Sequence, residues 1–280
     1  MLSQSALVRL TISVLSVVFS LVASATCAKD TKKTINAQTI TTYPPFSFKD
    51  PSSNKLTGFD IDTLDAIAAK MGAEVKWEEA SFDQLISFSA LKTKRVDMTG
   101  SAMTDTAERR ATVNFLDYVY EPQVFYTLRA NSEHFTTADA LCGKHVAITR
   151  SSVYMNEAVA KWSEESCVKA GKSAVVVIGS ENSGQSQQML KQGRVDASLT
   201  GSGSLAYQNN LEGDRYVSLG KPLIKFMYGM GFRKDDAQLG EDLKKGLNAI
   251  MLDGTYDRLM HKWNLTEDAW IQQPMINGEP

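Results

Sequence analysis

Residues 58–77 read GFDIDTLDAIAAKMGAEVKW, and this stretch decides the class of fold. Ile61, Leu64, Ile67, Ala68 and Met71 recur at the spacing that lines one face of an α-helix. Gly72 stands where a left-handed residue closes such a helix, and Glu74–Trp77 then reads as a short strand. Upstream, Thr34–Thr42 is β-rich and ends at Tyr43-Pro44-Pro45-Phe46, where two prolines stop a sheet ladder. Lys49–Lys55 (KDPSSNK) is a turn cluster. Downstream, Phe82–Leu91 carries Phe82, Leu85, Ile86 and Leu91 on one helical side, and Val96–Thr99 reads as the next strand. This β-α-β-α-β alternation predicts an open, largely parallel sheet with helices on its faces.

The alternation breaks and restarts. Val124–Leu128 is β-branched and aromatic, hence extended. Strands are expected at His145–Thr149, Ala174–Ile178 and Arg194–Leu199, with helices at Asn156–Glu165 and Ser186–Gln192 between them. A long helix over Leu239–Leu252 and a shorter one over Tyr256–Trp263 close the chain. The fold class is therefore α/β, with two units of similar order. Ligands of open α/β sheets sit beyond the carboxyl ends of strands, so two facing units imply a cleft.

The first 28 residues set the compartment. Arg9 precedes Leu10–Val22 (LTISVLSVVFSLV), an apolar run too short to span a bilayer but suited to a signal peptide. Small residues at Ala23-Ser24-Ala25 and Thr26-Cys27-Ala28 offer cleavage near Ala25 or Ala28. A buried core helix is the alternative, and the polar, lysine-rich stretch that begins at Lys29 argues against it. Cys27 is where a lipid anchor would attach, and the size of Thr26 before it speaks against one. About 250 residues follow, enough for one large or two modest domains. With 22% charged residues and a net charge of −2, nothing points to nucleic acid or to a membrane surface. His134, His145 and His261 are scattered, so no metal site and no cofactor are expected. Beyond Cys27 only Cys142 and Cys167 remain; export favours a disulfide over two buried thiols, worth about 3.5 kcal/mol by loop closure.

Five ordered motifs carry a resemblance. Tyr43-Pro44-Pro45-Phe46, Gly58-Phe59-Asp60-Ile61-Asp62, Thr104–Arg109 (TDTAER) with Asn114-Phe115, Gly193–Ala197 (GRVDA), and Asp253-Gly254-Thr255-Tyr256 with Lys262-Trp263 resemble the periplasmic solute-binding proteins of polar amino-acid ABC transporters, bacterial extracellular solute-binding family 3. The resemblance covers nearly all of the chain after the signal segment. Leu141-Cys142-Gly143-Lys144 with Cys167 and Ala170-Gly171-Lys172 is similar to a branch with a disulfide inside one lobe. The resemblance implies a type II two-lobed fold with two hinge crossovers, near Gln123–Leu128 and Pro222–Met227. Lobe 1 would comprise residues 29–122 and 228–280, and lobe 2 residues 123–227. It further implies a monomer that carries a small carboxylate ligand to a membrane-embedded ABC permease.

Within the cleft, the resemblance makes Arg109 the clamp for the ligand's carboxylate, which a planar guanidinium matches with two donors. Thr104 adds a hydroxyl and an N–H, and Ser151 and Ser152, at a strand-to-helix turn, complete the grip from the other lobe. Alternatives are a solvated surface arginine and a plain helix cap. Tyr43 and Phe82 match aromatic walls, with core packing as the alternative for Phe82. Ala102, Thr200 and Gly201 complete the expected ligand set. Gly201 is a departure: binders of this family usually carry an aspartate there, paired with the ligand's α-ammonium. Three explanations stand. Another acid such as Glu181 supplies the charge, neutral oxygens of Thr200 and Ser202 hold the amine, or the ligand has no free amine. Arg150 reads as a solvated charge or as a second cationic site. A binding module without catalysis is expected; the alternatives are a cyclohexadienyl-dehydratase-like enzyme and a free-standing sensor.

Overall fold

The computed structural model describes residues 33–150 and 152–280. The signal segment, with Cys27 and both cleavage positions, lies outside the described residues, as does Ser151.

The deciding stretch folds as expected, with its ends shifted. The helix spans Phe59–Lys70 and buries Phe59, Ile61, Leu64, Ile67 and Ala68, while Asp60 and Asp62 stand in its first turn, where the helix dipole favours acids. Gly58 precedes it at φ 136°, and a Cβ there would lie 2.0 Å from the Phe46 carbonyl oxygen, so only glycine lets the chain enter the helix. The strand Ala73–Glu79 pairs in parallel with Lys33–Thr39.

The expected strand Thr34–Thr42 ends at Thr39 instead. Ile40 turns inward to the core, and Thr42-Tyr43 joins a separate small sheet with Ser47–Lys49 and Leu56-Thr57. The expected helix Phe82–Leu91 breaks into Phe82–Ile86 and Ser89–Lys92. Ser87 Oγ donates to the Gln84 carbonyl and accepts the Ser89 N–H, so local side-chain bonds compete with the helix ladder. Phe88, left-handed at φ 53°, turns into the core against Phe115.

One eleven-stranded sheet runs through the described chain. At one end Val176–Ser180, His145–Thr149 and Ala197–Gly201 run parallel. At the other, Ala73–Glu79, Lys33–Thr39 and Met98-Thr99 run parallel. Two antiparallel strands, Val113–Leu128 and Ile224–Arg233, lie between and bind one half to the other. The sequence showed only the last five residues of the 16-residue strand Val113–Leu128. Its residues are buried on both faces, so it lacks the alternation that marks a strand with one wet side.

Each half has its own core. Ile35, Phe59, Leu64, Ile67, Tyr118, Leu243 and Leu247 pack in the first. In the second, Phe125, Val146, Ile148 and Leu199 fill one face of the sheet, and Val124, Ala147, Tyr126 and Leu205 the other. Cys142 and Cys167 are joined with their Cα atoms 5.4 Å apart, which excludes the free-thiol alternative. Cys167 lies in a single π-turn, Glu164–Val168, which continues the helix Val153–Ser163. The helix Ser202–Glu212, absent from the sequence expectation, begins directly at the end of the strand Ala197–Gly201.

Candidate functional site

Two adjoining cavities of about 350 and 530 Å³ lie between the halves. Thr42, Tyr43, Phe82, Ser152 and Met155 line both, which makes them one cleft. Its size is that of small-ligand sites.

Arg109 lines the smaller compartment. It sits in a one-turn helix, Ala107–Arg110, whose N-cap Thr106 accepts the Arg109 N–H. Its Nη1 donates to the Thr104 carbonyl at 2.7 Å, and among the described residues no carboxylate lies within ion-pair distance. Its neighbour Arg110 is instead held by Asp105 through two bonds of 2.6 Å. Arg109 is thus no solvated surface arginine: burial makes its charge costly and lowers its pKa, and Tyr154, Glu108, Tyr228 and Asp105 nearby offset this only in part. The other donors of its fork are available to an anion.

Ala102, Met103, Thr104 and Tyr228 line the same compartment. The Ala102 N–H is already committed to Asp60 Oδ2 at 2.7 Å, so it is not a donor for a ligand. Ser152 precedes the helix Val153–Ser163, but its hydroxyl makes no capping bond, contrary to the cap alternative. Ser152 lines both compartments, and among the described residues its hydroxyl has no hydrogen-bond partner.

The aromatic walls differ in kind. Tyr43 stacks on Phe46 at 5.1 Å and bonds the Tyr228 hydroxyl at 2.9 Å, so it is a fixed wall. Phe82 is 51% exposed, which removes the core-packing alternative. The capping box of Ser81 and Gln84 holds it at the first position of its short helix. Sequence reading missed Tyr154 and Phe226, which also line the smaller compartment and pack edge-on at 6.3 Å.

The larger compartment contains Thr200 and Gly201 with Gln123, Ser204 and Glu181. Glu181 pairs with Arg150, and both side chains are about two-thirds exposed. Its charge is already offset, which weakens it as the replacement acid, and Arg150 loses its standing as a free second cation. The acid nearest Gly201 is one that sequence reading passed over. A Cβ on Gly201 would lie 1.7 Å from Glu121 Oε1, so the Glu121 carboxyl fills the space a side chain at 201 would need. Glu121 is fully buried, and neither oxygen has a hydrogen-bond partner among the described residues. Burial pushes its pKa up to about 8; the N–H groups of Gly203 and Ser204 pull it back in part without reaching bonding geometry, and Asp60 adds to the rise. Its one sequence signal was an acid inside the apolar, aromatic run Tyr118–Phe125.

A family model for bacterial extracellular solute-binding proteins, family 3, matches residues 35–266. The chain belongs to this family. This family 3 protein is 31% identical to the probable histidine-binding protein of Campylobacter jejuni, over 84% of this chain and 87% of that one. It is 29% identical to the lysine/arginine/ornithine-binding periplasmic protein of Escherichia coli, over 89% and 94%. Among solved structures it resembles an ancestral arginine-binding protein bound to arginine, with 32% identity, a TM-score of 0.64, and 83% and 98% of the two chains covered. The fold of the family 3 protein is the two-lobed type II binding fold, with the paired strands Val113–Leu128 and Ile224–Arg233 running between its two groups of parallel strands.

Proposed function

We propose that this protein captures a small amino acid or related carboxylate in the periplasm and delivers it to an ABC permease. The observation that carries the reading is Arg109: a partly buried guanidinium, without an acidic partner among the described residues, facing a ligand-sized cleft. In this reading Arg109 and Thr104 bind the carboxylate from lobe 1 (29–122 with 228–280). Ser151 and Ser152 bind it from lobe 2 (123–227). Tyr43, Phe82 and Ala102 enclose the aliphatic part, and Thr200 and Gly201 line the far wall. A ligand held by both lobes favours their closed arrangement, and the permease then recognises that arrangement on a monomer. The names of amino-acid-binding relatives support an amino acid as the ligand class.

A thermal-shift screen of amino acids, opines and organic acids tests this. At least one small carboxylate should raise the unfolding temperature, and Arg109→Ala should abolish the rise. Losing a charge-assisted pair costs about 1.5–3 kcal/mol, a tenfold or greater loss of affinity. Equal stabilisation of wild type and Arg109→Ala by the same compound would sink the carboxylate clamp. Turnover of the bound compound, read by mass spectrometry, would replace the transport reading with the enzymatic one.

A further inference from the structure

We infer that Glu121 and Gln123 form the subsite for the ligand's ammonium group, reached past the bare main chain of Gly201. This deepens the carboxylate-binding reading above and rests on it.

Three buried oxygens without partners among the described residues sit on two residues of one strand: Glu121 Oε1, Glu121 Oε2 and Gln123 Oε1. Buried polar atoms are nearly always bonded, so three unpartnered oxygens on two residues of one strand call for a polar partner from elsewhere, and once Glu121 is ionised all three are acceptors. Glu121 and Gln123 are two apart on Val113–Leu128 and so point to the same face. Gln123 spends its Nε2 on the Glu121 carbonyl at 3.3 Å, which leaves only acceptors for a visitor. Gln123 also pairs in register with Gly201, and both line the larger compartment. Any side chain at 201 would collide with the Glu121 carboxyl, so the glycine is what leaves room for the acid.

No lysine, arginine or histidine among the described residues pairs with Glu121. The groups that face it are Asp60, Tyr43 and Tyr228, with the N–H groups of Gly203 and Ser204. A Cβ on Gly203 would meet Leu265, Glu121 Oε2 and Pro45, so apolar side chains pack beside the buried carboxyl. The demand is for a compact donor of positive charge, which an α-ammonium is. With Arg109 lining one compartment, and Gln123 and Gly201 lining the other with the Glu121 carboxyl directly behind Gly201, the cleft is polarised for a zwitterion.

Burial keeps the unliganded carboxyl largely protonated near neutral pH, whereas an ammonium partner needs it ionised. Binding of an amino acid then releases a proton, and affinity rises with pH until Glu121 is ionised without ligand.

The test is calorimetric titration of the full mature protein with each of the twenty standard L-amino acids. Any that binds is compared with its des-amino counterpart, such as 5-guanidinopentanoate for L-arginine or 3-imidazolylpropanoate for L-histidine. Wild type should bind the amino acid at least about tenfold more tightly than the des-amino acid, and Glu121→Gln should erase that discrimination. Affinity of wild type should climb from about pH 6 to about pH 8 with proton release, and that of Glu121→Gln should stay flat. The wild-type comparison and its proton release require no variant to fold. Equal binding of the amino and des-amino acids, or unchanged affinity in Glu121→Gln, overturns the subsite and leaves the Arg109 clamp standing. Binding of carboxylates that all lack a free amine does the same. If no carboxylate binds, both readings fall.

Discussion

Gly201 and Glu121 compete for one volume, although they lie in different strands and 80 positions apart in the chain. Sequence reading singled out Gly201 and looked for its compensating acid at Glu181, which the fold sends to Arg150. Glu121 escaped notice because nothing local reveals which residue of a distant strand enters the space a missing side chain leaves. The steric relation makes a sharp prediction. Gly201→Ala should destabilise the protein by about 1–3 kcal/mol, as overpacking of a tight site does. Glu121→Ala should relieve most of that cost, because it empties the volume the new methyl needs. Denaturant melts of the two single variants and the double variant form a cycle. Additive losses would mean that the methyl introduced by Gly201→Ala strains something other than Glu121.

Local pattern located the elements well where one face is dry and the other wet. The helices Phe59–Lys70 and Ala237–Leu252 were legible for that reason. It failed for Val113–Leu128, buried on both faces, and for Ser202–Glu212, whose Gly- and Ser-rich start reads as a loop. It also merged Phe82–Ile86 with Ser89–Lys92, since apolar spacing continues across the break at Phe88. The disulfide ties the loop after Leu141 to the π-turn that ends the helix Val153–Ser163. Its ends are 25 positions apart, and closing such a loop is worth about 3.5 kcal/mol. Cys142→Ser with Cys167→Ser should therefore lower stability in urea by roughly that amount. Neither cysteine lines the cleft, so affinity in the folded double variant should hardly change. A large affinity loss with little loss of stability would show that the bridge acts on the cleft instead.

The molecule as a whole carries an unusual set of buried acids near the junction of its halves. Asp60 is raised to about 7 by burial, despite bonds from Tyr118 and the Ala102 N–H. Glu121 is raised to about 8, and Asp117 is pushed up by burial and by Asp105 beside it. Each holds its proton more tightly in the fold than in the unfolded chain. Their stabilising contribution is full below the ordinary carboxylate range and is lost as pH rises through roughly 7 to 8. Asp50, lowered to about 2 by Ser52 and Ser53, works in a separate acidic window. The unfolding temperature without ligand should fall between about pH 5.5 and pH 8.5, and Glu121→Gln should reduce that fall. A flat profile in wild type would show that these acids do not titrate across that range.

Composition, hydrophobic period and turn chemistry already determined an α/β chain of two successive units, because each is a property of neighbouring residues. The motifs likewise brought Arg109, Thr104, Tyr43 and Phe82 into consideration before any contact was known. Only the tertiary structure decided that one sheet runs through both halves and that Arg109 lacks an acidic partner among the described residues. It alone placed Glu121 in the space left open by Gly201. The physical reason is that burial and charge pairing depend on which distant residues share a volume, and strand pairing across the hinge sets that sharing.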